Sequence, residues 1–265
     1  MDFRSVQNYY PQMRIWSVAL FILLSAGATT AAPAAEPEVR TWTIDGTVRR
    51  ALVYAPAKAS RGKVPIVFGF HGGGDNAEHF SITGFQDAWP EAVVIYMQAL
   101  ERNPGRGDTG YQNADASAPN RDLKFFDTAL ADLRQSFRVD DSRIFAVGFS
   151  NGARFVYLLW ATRSKTFAAF AAVSGTLATT VVLKDPKPLI YFGGRLEPSL
   201  RQQMESVEIA KKLNYATGSG EKCGTDCTLY RSPRSAPVIT VVHDGGHLYP
   251  SFATDAIVSF FRSRP

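Results

Sequence analysis

Residues 144–152, Ile-Phe-Ala-Val-Gly-Phe-Ser-Asn-Gly, decide how this chain is interpreted. The apolar run 144–147 is typical of a strand buried on both faces of a parallel sheet. Ser150 follows between two glycines, and a helical pattern starts at once and continues to 163. A strand, a tight turn and a helix are the context of a nucleophile elbow, which holds a serine exposed at the sheet edge. An ordinary Gly-Ser turn between a strand and a helix would have the same sequence. The interpretation as a nucleophile elbow therefore requires the other groups of a catalytic site elsewhere in the chain.

Strands and helices alternate on both sides of this stretch. Further short apolar runs lie at 64–70, 92–96, 167–173, 189–192 and 238–242. Further helical patterns lie at 122–137, 198–213 and 254–262. Segment 42–55 alternates apolar and polar residues around Asp45-Gly46, which predicts an antiparallel hairpin. We therefore predict an α/β fold with a mostly parallel sheet, helices on both faces and an N-terminal hairpin.

Composition limits the classes of protein that this chain can be. Its 265 residues are 45% hydrophobic and 20% charged, which is ordinary for a globular protein. The net charge is +5, but the basic residues are dispersed in pairs such as Arg49-Arg50 and Lys211-Lys212. Dispersed charge favours a solvated surface, so we expect no nucleic-acid partner.

The first 34 residues have the pattern of a secretory signal peptide. Arg14 precedes a short apolar run, and small residues follow up to Ala34. We predict a signal peptide over 1–34 and a single catalytic domain over 35–265, secreted or periplasmic and without stable membrane association after cleavage. An uncleaved membrane anchor is the alternative, and translation from Met1 or from Met13 is left open.

The chain has two cysteines, Cys223 and Cys227, in a Gly-rich segment. Export would place them in an oxidising compartment, so we predict a local disulfide. So short a loop contributes only about 2 kcal/mol in the chain-entropy model, enough to fix a loop but not a fold. A metal site would need more ligands nearby, and none is predicted.

A glycine loop is the second candidate part of the site. His71-Gly-Gly-Gly74 directly follows the apolar run 64–70. Backbone N–H groups in such a loop can stabilise the oxyanion of a tetrahedral intermediate. The donors expected here are the amides of Gly73 and of Asn151, the residue after the serine. A tight turn or a phosphate nest is the alternative.

Serine needs a base to accept its proton, and the chain has four histidines. His247 lies in a loop after the run 238–242 and before the final helix, which places it at the same sheet edge as Ser150. His243 continues directly from the strand and is expected to be a packed neighbour.

A carboxylate must orient that histidine, and in the order serine, acid, histidine it falls between residues 150 and 247. Glu197 follows the run 189–192 and is the preferred candidate. Asp244, three residues before His247, is the main alternative, and Asp226 in the cysteine loop also stays open.

Four motifs together resemble one known family. The runs 68–77, 121–127, 147–152 and 245–247 are similar to the secreted polyhydroxybutyrate depolymerase and feruloyl-esterase-like branch of the α/β-hydrolases. The resemblance covers nearly the whole chain after the signal segment and implies a triad of Ser150, an acid and His247. It also implies that the loop at His71 shapes the oxyanion hole. Glu197 departs from the aspartate usual in the family, and Tyr249 stands where tryptophan is common.

The motifs and the resemblance predict an exported serine esterase that works through an acyl-enzyme without metal or organic cofactor. The expected substrate is a small ester, or an ester linked to a polyester or polysaccharide. Tyr111, Gln112 and Tyr249 are candidates for substrate contacts, with packing as the alternative role. A serine peptidase and a catalytically silent binding protein of the same fold are the other functional hypotheses.

Overall fold

A ten-stranded mixed sheet is formed by the residues that the computed structural model describes, which are 36–57, 59, 61–114 and 119–264. The predicted signal peptide lies outside these residues. The strands are β1 Glu38–Ile44, β2 Thr47–Tyr54, β3 Val64–Phe70, β4 Val93–Met97, β5 Val139–Phe149, β6 Ala169–Val173, β7 Leu189–Gly194, β8 Glu221–Gly224, β9 Cys227–Tyr230 and β10 Val238–His243. Their order across the sheet is β1-β2-β4-β3-β5-β6-β7-β10-β9-β8.

The six central strands of the sheet, β4-β3-β5-β6-β7-β10, are parallel to one another. Antiparallel pairs extend the sheet at both edges. At the first edge, the predicted hairpin is present, with Ile44 opposite Thr47. Asp45 and Gly46 form its two-residue loop, and both have positive φ, as a type I′ hairpin turn requires.

Helices cover both faces of the sheet, as predicted. They are α1 Ala77–Ser81, α2 Phe85–Ala88, α3 Arg121–Ser136, α4 Asn151–Arg163, α5 Leu200–Leu213 and α6 Ala253–Arg262. One apolar cluster lies between the sheet and α3, α4 and α5, and a second lies under α1, α2 and α6. Successive residues of β5 alternate between the two clusters, with Ile144 in the first and Phe145 in the second. The continuous apolar runs of the central strands follow from this burial on both faces.

The sequence did not predict the hairpin of β8 and β9. Its residues are exposed or half-buried, so they show no apolar run. The hairpin extends the sheet by pairing β9 with β10, and Cys223 is joined to Cys227 across it by the predicted disulfide. Within the described part of the chain, no helix is long and apolar enough to cross a membrane.

A buried ion pair joins β2 to α3. Arg49 donates to the Asp122 carboxylate at 2.6 Å, and both side chains are almost fully buried. The guanidinium also donates to the carbonyls of Arg121 and Gln98 and lies 4.2 Å from the centre of the Phe125 ring. These acceptors bind both terminal nitrogens of the guanidinium, while its buried Nε has no hydrogen-bond partner among the described residues. The Asp122 carboxylate pairs the charge away from water.

We expect Asp122→Ala to lower the free energy of unfolding by about 3–5 kcal/mol, because it leaves the Arg49 charge buried without its partner. Asp127→Ala is a matched control on the same helix, since Asp127 pairs with Arg163 at the surface. The control should cost less than about 1 kcal/mol. Urea denaturation checks both values, and equal losses would contradict the difference between the two pairs.

Candidate active site

Ser150 lies at the corner between β5 and α4, in an unusual backbone conformation. Its φ is 53° and its ψ is −111°, a region that costs free energy for any residue with a Cβ. Its N–H donates to the Val173 carbonyl at 2.8 Å. A Cβ at Gly148 would overlap the backbone of Gly152, and one at Gly152 would overlap the carbonyl of Phe70. The two glycines therefore allow the close packing that holds the serine at this corner.

His247 lies in the loop after β10 and contacts both Ser150 and Glu197. Its Nε2 is 2.9 Å from the Ser150 Oγ, and its Nδ1 is 2.7 Å from a Glu197 carboxylate oxygen. The imidazole packs beside the Phe149 ring, with the ring centres 5.1 Å apart. The structure thus brings three predicted site residues, from three separate loops, into one hydrogen-bonded chain.

Glu197 is buried, with 5% of its surface exposed. Besides His247, its carboxylate accepts hydrogen bonds from the Ser174 hydroxyl at 2.7 Å, the Gln203 amide at 2.7 Å and the Gly194 N–H at 2.9 Å. Burial alone would raise the pKa of Glu197, but the four hydrogen bonds outweigh it and hold this pKa below its ordinary value.

The ionised Glu197 determines the form of His247. A carboxylate can only accept a hydrogen bond, so the neutral imidazole carries its hydrogen at Nδ1 and its Nε2 lone pair faces the Ser150 hydroxyl. This is the tautomer that a general base beside a serine needs.

Sequence reasoning missed Ser174 and Gln203, the two side chains that hold the carboxylate. Ser174 follows the buried strand β6 and has a φ of 53°. A polar residue directly after a buried strand is the signal that could have found it. Gln203 lies one turn into α5 and is fully buried, which the helical pattern alone did not indicate.

The alternative acids do not contact His247. The Asp244 side chain is 89% exposed and accepts a hydrogen bond from Arg195 at 2.8 Å. Asp226 pairs with the same guanidinium. His243 is a packed neighbour, since it is buried and its Nδ1 accepts the Gly245 N–H at 3.0 Å.

Gly73 and Asn151 lie next to each other, and Asn151 directly follows Ser150. A Cβ built on Gly73 would be 3.6 Å from the Asn151 Cβ. Among the described residues, neither N–H has a hydrogen-bond acceptor, whereas the Gly74 N–H is occupied by the Thr109 carbonyl. Two unoccupied donors beside a serine can stabilise a developing oxyanion.

His71 supports this glycine loop from inside the protein. It is fully buried, its Nδ1 donates to the Gly72 carbonyl at 2.7 Å, and its Nε2 accepts the Ala99 N–H at 3.1 Å. Burial lowers the pKa of His71 below its ordinary value of 6.5. Both ring nitrogens are satisfied in the neutral form, so His71 anchors the loop and does not take part in the chain at Ser150.

The three predicted substrate-contact residues have different locations. The Tyr111 prediction is wrong, because its side chain is 3% exposed and its hydroxyl donates to the Met97 carbonyl at 2.6 Å. The ring packs in the core, and only its backbone reaches the site, through the Asn151 side chain. Gln112 holds the start of α3 by accepting the Arg121 N–H at 2.9 Å, and it lines a different surface cleft from the one beside His247.

Tyr249 borders a cleft of about 480 Å³ beside His247. Its ring packs against Phe149 and Phe80, with centre distances of 6.3 and 5.7 Å. The structure therefore leaves Tyr249 as the predicted contact residue beside the site. The described residues contain no cluster of side chains that could hold a metal ion.

Comparison with known proteins agrees with the fold. No protein-family model matches the chain. It is 26% identical over 215 residues to the probable feruloyl esterase C of Aspergillus niger, covering 74% of this chain and 77% of that protein. A ferulic acid esterase structure superposes with a TM-score of 0.64 at 16% identity, covering 85% of this chain and 97% of that one. An acetyl xylan esterase from Aspergillus awamori gives 0.63 at 15% identity, with 85% and 99% covered.

The strand order, the serine corner and these similarities define an α/β-hydrolase. Its relative at 26% identity is a probable feruloyl esterase, which supports the esterase-like branch that the sequence motifs predict. The predicted enzyme class, a carboxylic ester hydrolase, is confirmed by the same relatives.

The lowered pKa of His71 predicts a specific loss of stability in mild acid. The unfolded chain takes up a proton on this residue below about pH 6.5, while the folded chain resists it. The contribution of His71 is therefore complete above that pH and falls, by up to about 1.4 kcal/mol per pH unit, as the pH drops towards the folded-state pKa.

His71→Gln should remove this part of the pH dependence. Urea unfolding of the parent and the variant between about pH 5 and 8 measures the difference in the pH dependence of their free energies of unfolding. Protonation of Glu197 changes stability only below about pH 4.5, outside this range. Parallel stability curves for the two proteins over this range would contradict the assignment.

Proposed function

We propose that the protein is a serine esterase in which Ser150 is the nucleophile, His247 the general base and acid, and Glu197 the residue that orients His247. The observation that carries the proposal is the continuous chain of hydrogen bonds from the Ser150 Oγ through both ring nitrogens of His247 to the Glu197 carboxylate. The unoccupied amides of Gly73 and Asn151, two residues that lie next to each other, are the proposed oxyanion donors and complete the set of groups that acyl transfer needs.

In the first half-reaction, the Ser150 Oγ forms a bond to the ester carbonyl carbon while its proton moves to the His247 Nε2. The carbonyl oxygen becomes an oxyanion, and the Gly73 and Asn151 N–H groups donate to it. His247 then gives its proton to the alkoxide, the carbon–oxygen bond to the alcohol breaks, and the acyl group remains on Ser150.

In the second half-reaction, water replaces the alcohol. His247 accepts a proton from water, the hydroxide attacks the acyl carbon, and the same two amides hold the second oxyanion. Return of the proton to the Ser150 Oγ releases the carboxylic acid and restores the starting state. Ionised Glu197 stabilises the positive imidazolium in both halves, which its low pKa allows at neutral pH.

The similar proteins support the class of substrate. They are named for feruloyl esters and acetyl xylan, so a small carboxylic ester or an ester attached to polysaccharide is the proposed substrate. An ester within a polyester remains a further candidate on the motif resemblance. The reaction as written needs no metal or organic cofactor. The leader-like N-terminal sequence and the disulfide at Cys223 and Cys227 support a secreted or periplasmic location.

Ser150→Ala should abolish hydrolysis of p-nitrophenyl acetate, with a loss of at least about 10⁴ in kcat, because the members of such a triad act as a unit. A fluorophosphonate probe should label the parent protein and not this variant. Ser259→Ala, at an exposed serine of α6, is the control and should keep the parent's rate and labelling. Near-parental turnover by a pure Ser150→Ala sample would refute the mechanism, and absence of both labelling and turnover in the parent would favour a silent binding protein.

Glu197→Gln should reduce kcat by up to about 10⁴, because an amide cannot stabilise the imidazolium and disfavours the productive tautomer. Glu197→Asp keeps the charge but withdraws it by about 1.5 Å, which breaks the 2.7 Å contact with His247 unless the loop moves. Steady-state kinetics at neutral pH measure both losses.

Asp244→Asn is the matched control for the acid. Asp244 is closer to His247 in sequence, but its carboxylate faces Arg195 at the surface, so this variant should stay within a few-fold of the parent. If Asp244→Asn loses activity while Glu197→Gln retains it, the acid is assigned to the wrong residue.

A further inference from the structure

The cleft beside His247 lies next to the proposed machinery. It is bordered by His247 itself, by Phe149, which precedes Ser150, and by Asp75, which follows the glycine loop. The rest of its lining comes from α1 and the segment after it, and from the loop after His247 and the start of α6: His79, Phe80, Ile82, Thr83, Leu248, Tyr249, Ser251 and Thr254. Its volume, about 480 Å³, suits a small organic group.

Proton transfer determines which half of an ester lies at this cleft. His247 must protonate the departing alkoxide, so the alcohol oxygen has to come within hydrogen-bond distance of its Nε2. The acyl carbon is bonded to Ser150, and its oxyanion faces Gly73 and Asn151. The body of the alcohol therefore extends past the imidazole, and the cleft bordered by His247 and Phe149 lies next to it.

Most polar groups in the lining are already occupied by the protein. The Thr254 hydroxyl donates to the Thr83 carbonyl at 2.8 Å and lies 3.1 Å from the Tyr249 hydroxyl. The Thr83 hydroxyl donates to the Phe80 carbonyl at 2.7 Å. These groups have little capacity left to replace the water around a hydroxylated ligand.

The cleft also offers no charged group that would bind an anionic ligand. Asp75 accepts a hydrogen bond from His79 at 2.8 Å, and among the described lining residues there is no lysine or arginine. By contrast, two apolar side chains of the lining are accessible to a ligand, since Ile82 is 78% exposed and Leu248 is 44% exposed. Such walls favour a neutral, apolar group over a sugar or a carboxylate.

We propose that this cleft binds the alcohol half of the ester and selects a neutral, apolar alcohol. The inference rests on the proposed serine esterase mechanism and adds the class of leaving group that the site accepts. Ile82 is the specificity-determining residue that can be changed with least disturbance, because its side chain is exposed and contributes to the cleft wall.

Three acetates that form the same acetyl-enzyme test the proposal. Methyl acetate has an alcohol too small to fill the cleft, and cyclohexylmethyl acetate and 6-O-acetylglucose carry six-membered rings of opposite polarity. We expect kcat/KM for the cyclohexyl ester to exceed that for the glucose ester by at least about tenfold.

Ile82→Ser should lower kcat/KM for the cyclohexyl ester by about three- to tenfold and change kcat/KM for methyl acetate by less than about twofold. Val39→Ser, an equally simple change at an exposed position of β1, should alter none of the three.

The outcomes separate this inference from the proposed mechanism. If methyl acetate is hydrolysed in a Ser150-dependent way, but the glucose ester is used as well as or better than the cyclohexyl ester, the alcohol assignment is overturned and the mechanism stands. An equal effect of Ile82→Ser on all three esters also overturns it. If no Ser150-dependent hydrolysis of any acetate occurs, the proposed mechanism itself fails, and the assignment of the cleft fails with it.

Discussion

The close packing of backbone at the corner between β5 and α4 is the constraint on which the rest of the site depends. Gly148 lies against Gly152, and Gly152 lies against the end of β3 at Phe70, at distances that admit no Cβ. This contact holds Ser150 in its strained conformation and brings the amide of Asn151 next to the glycine loop that follows β3. The same packing thus positions both the proposed nucleophile and the proposed oxyanion donors, and any side chain at these glycines would separate them.

The position of the acid depends on a similar approach at the neighbouring strand ends. A Cβ at Gly194 would overlap the backbone of Gly245, so the loop after β7 lies directly on the loop that carries His247. Glu197 extends from the first of these loops to the imidazole in the second. Its longer arm is accommodated because Ser174 and Gln203 donate to the carboxylate and fix its position. Without these donors, ionisation of the buried carboxylate would cost a large free energy of desolvation. The donors therefore maintain the charge on which the tautomer of His247 depends.

The sequence was sufficient for the parts of the structure that are set by local patterns. The continuous apolar run at 144–147 and the glycines that follow it predicted the serine corner, since a strand buried on both faces and a tight turn each leave a local signal. The sequence favours Glu197 over Asp244 because Glu197 follows a strand, and the structure places its carboxylate against His247. Long-range packing left no such signal. The burial of Tyr111 and the contact of Ser174 with Glu197 depend on segments distant in sequence. The hairpin that contains the two cysteines is local, but its exposed and half-buried residues show no apolar run.

The central claim, that Ser150 carries the acyl group, is tested most directly by trapping the intermediate. The protein is mixed with p-nitrophenyl acetate, quenched in acid within the first turnovers, digested and mapped by mass spectrometry. The account predicts a single acetyl group on the peptide that contains Ser150, which disappears as the substrate is exhausted. Hydrolysis of the ester without acetylation of Ser150, or with a transient acetyl group on another residue, would contradict it.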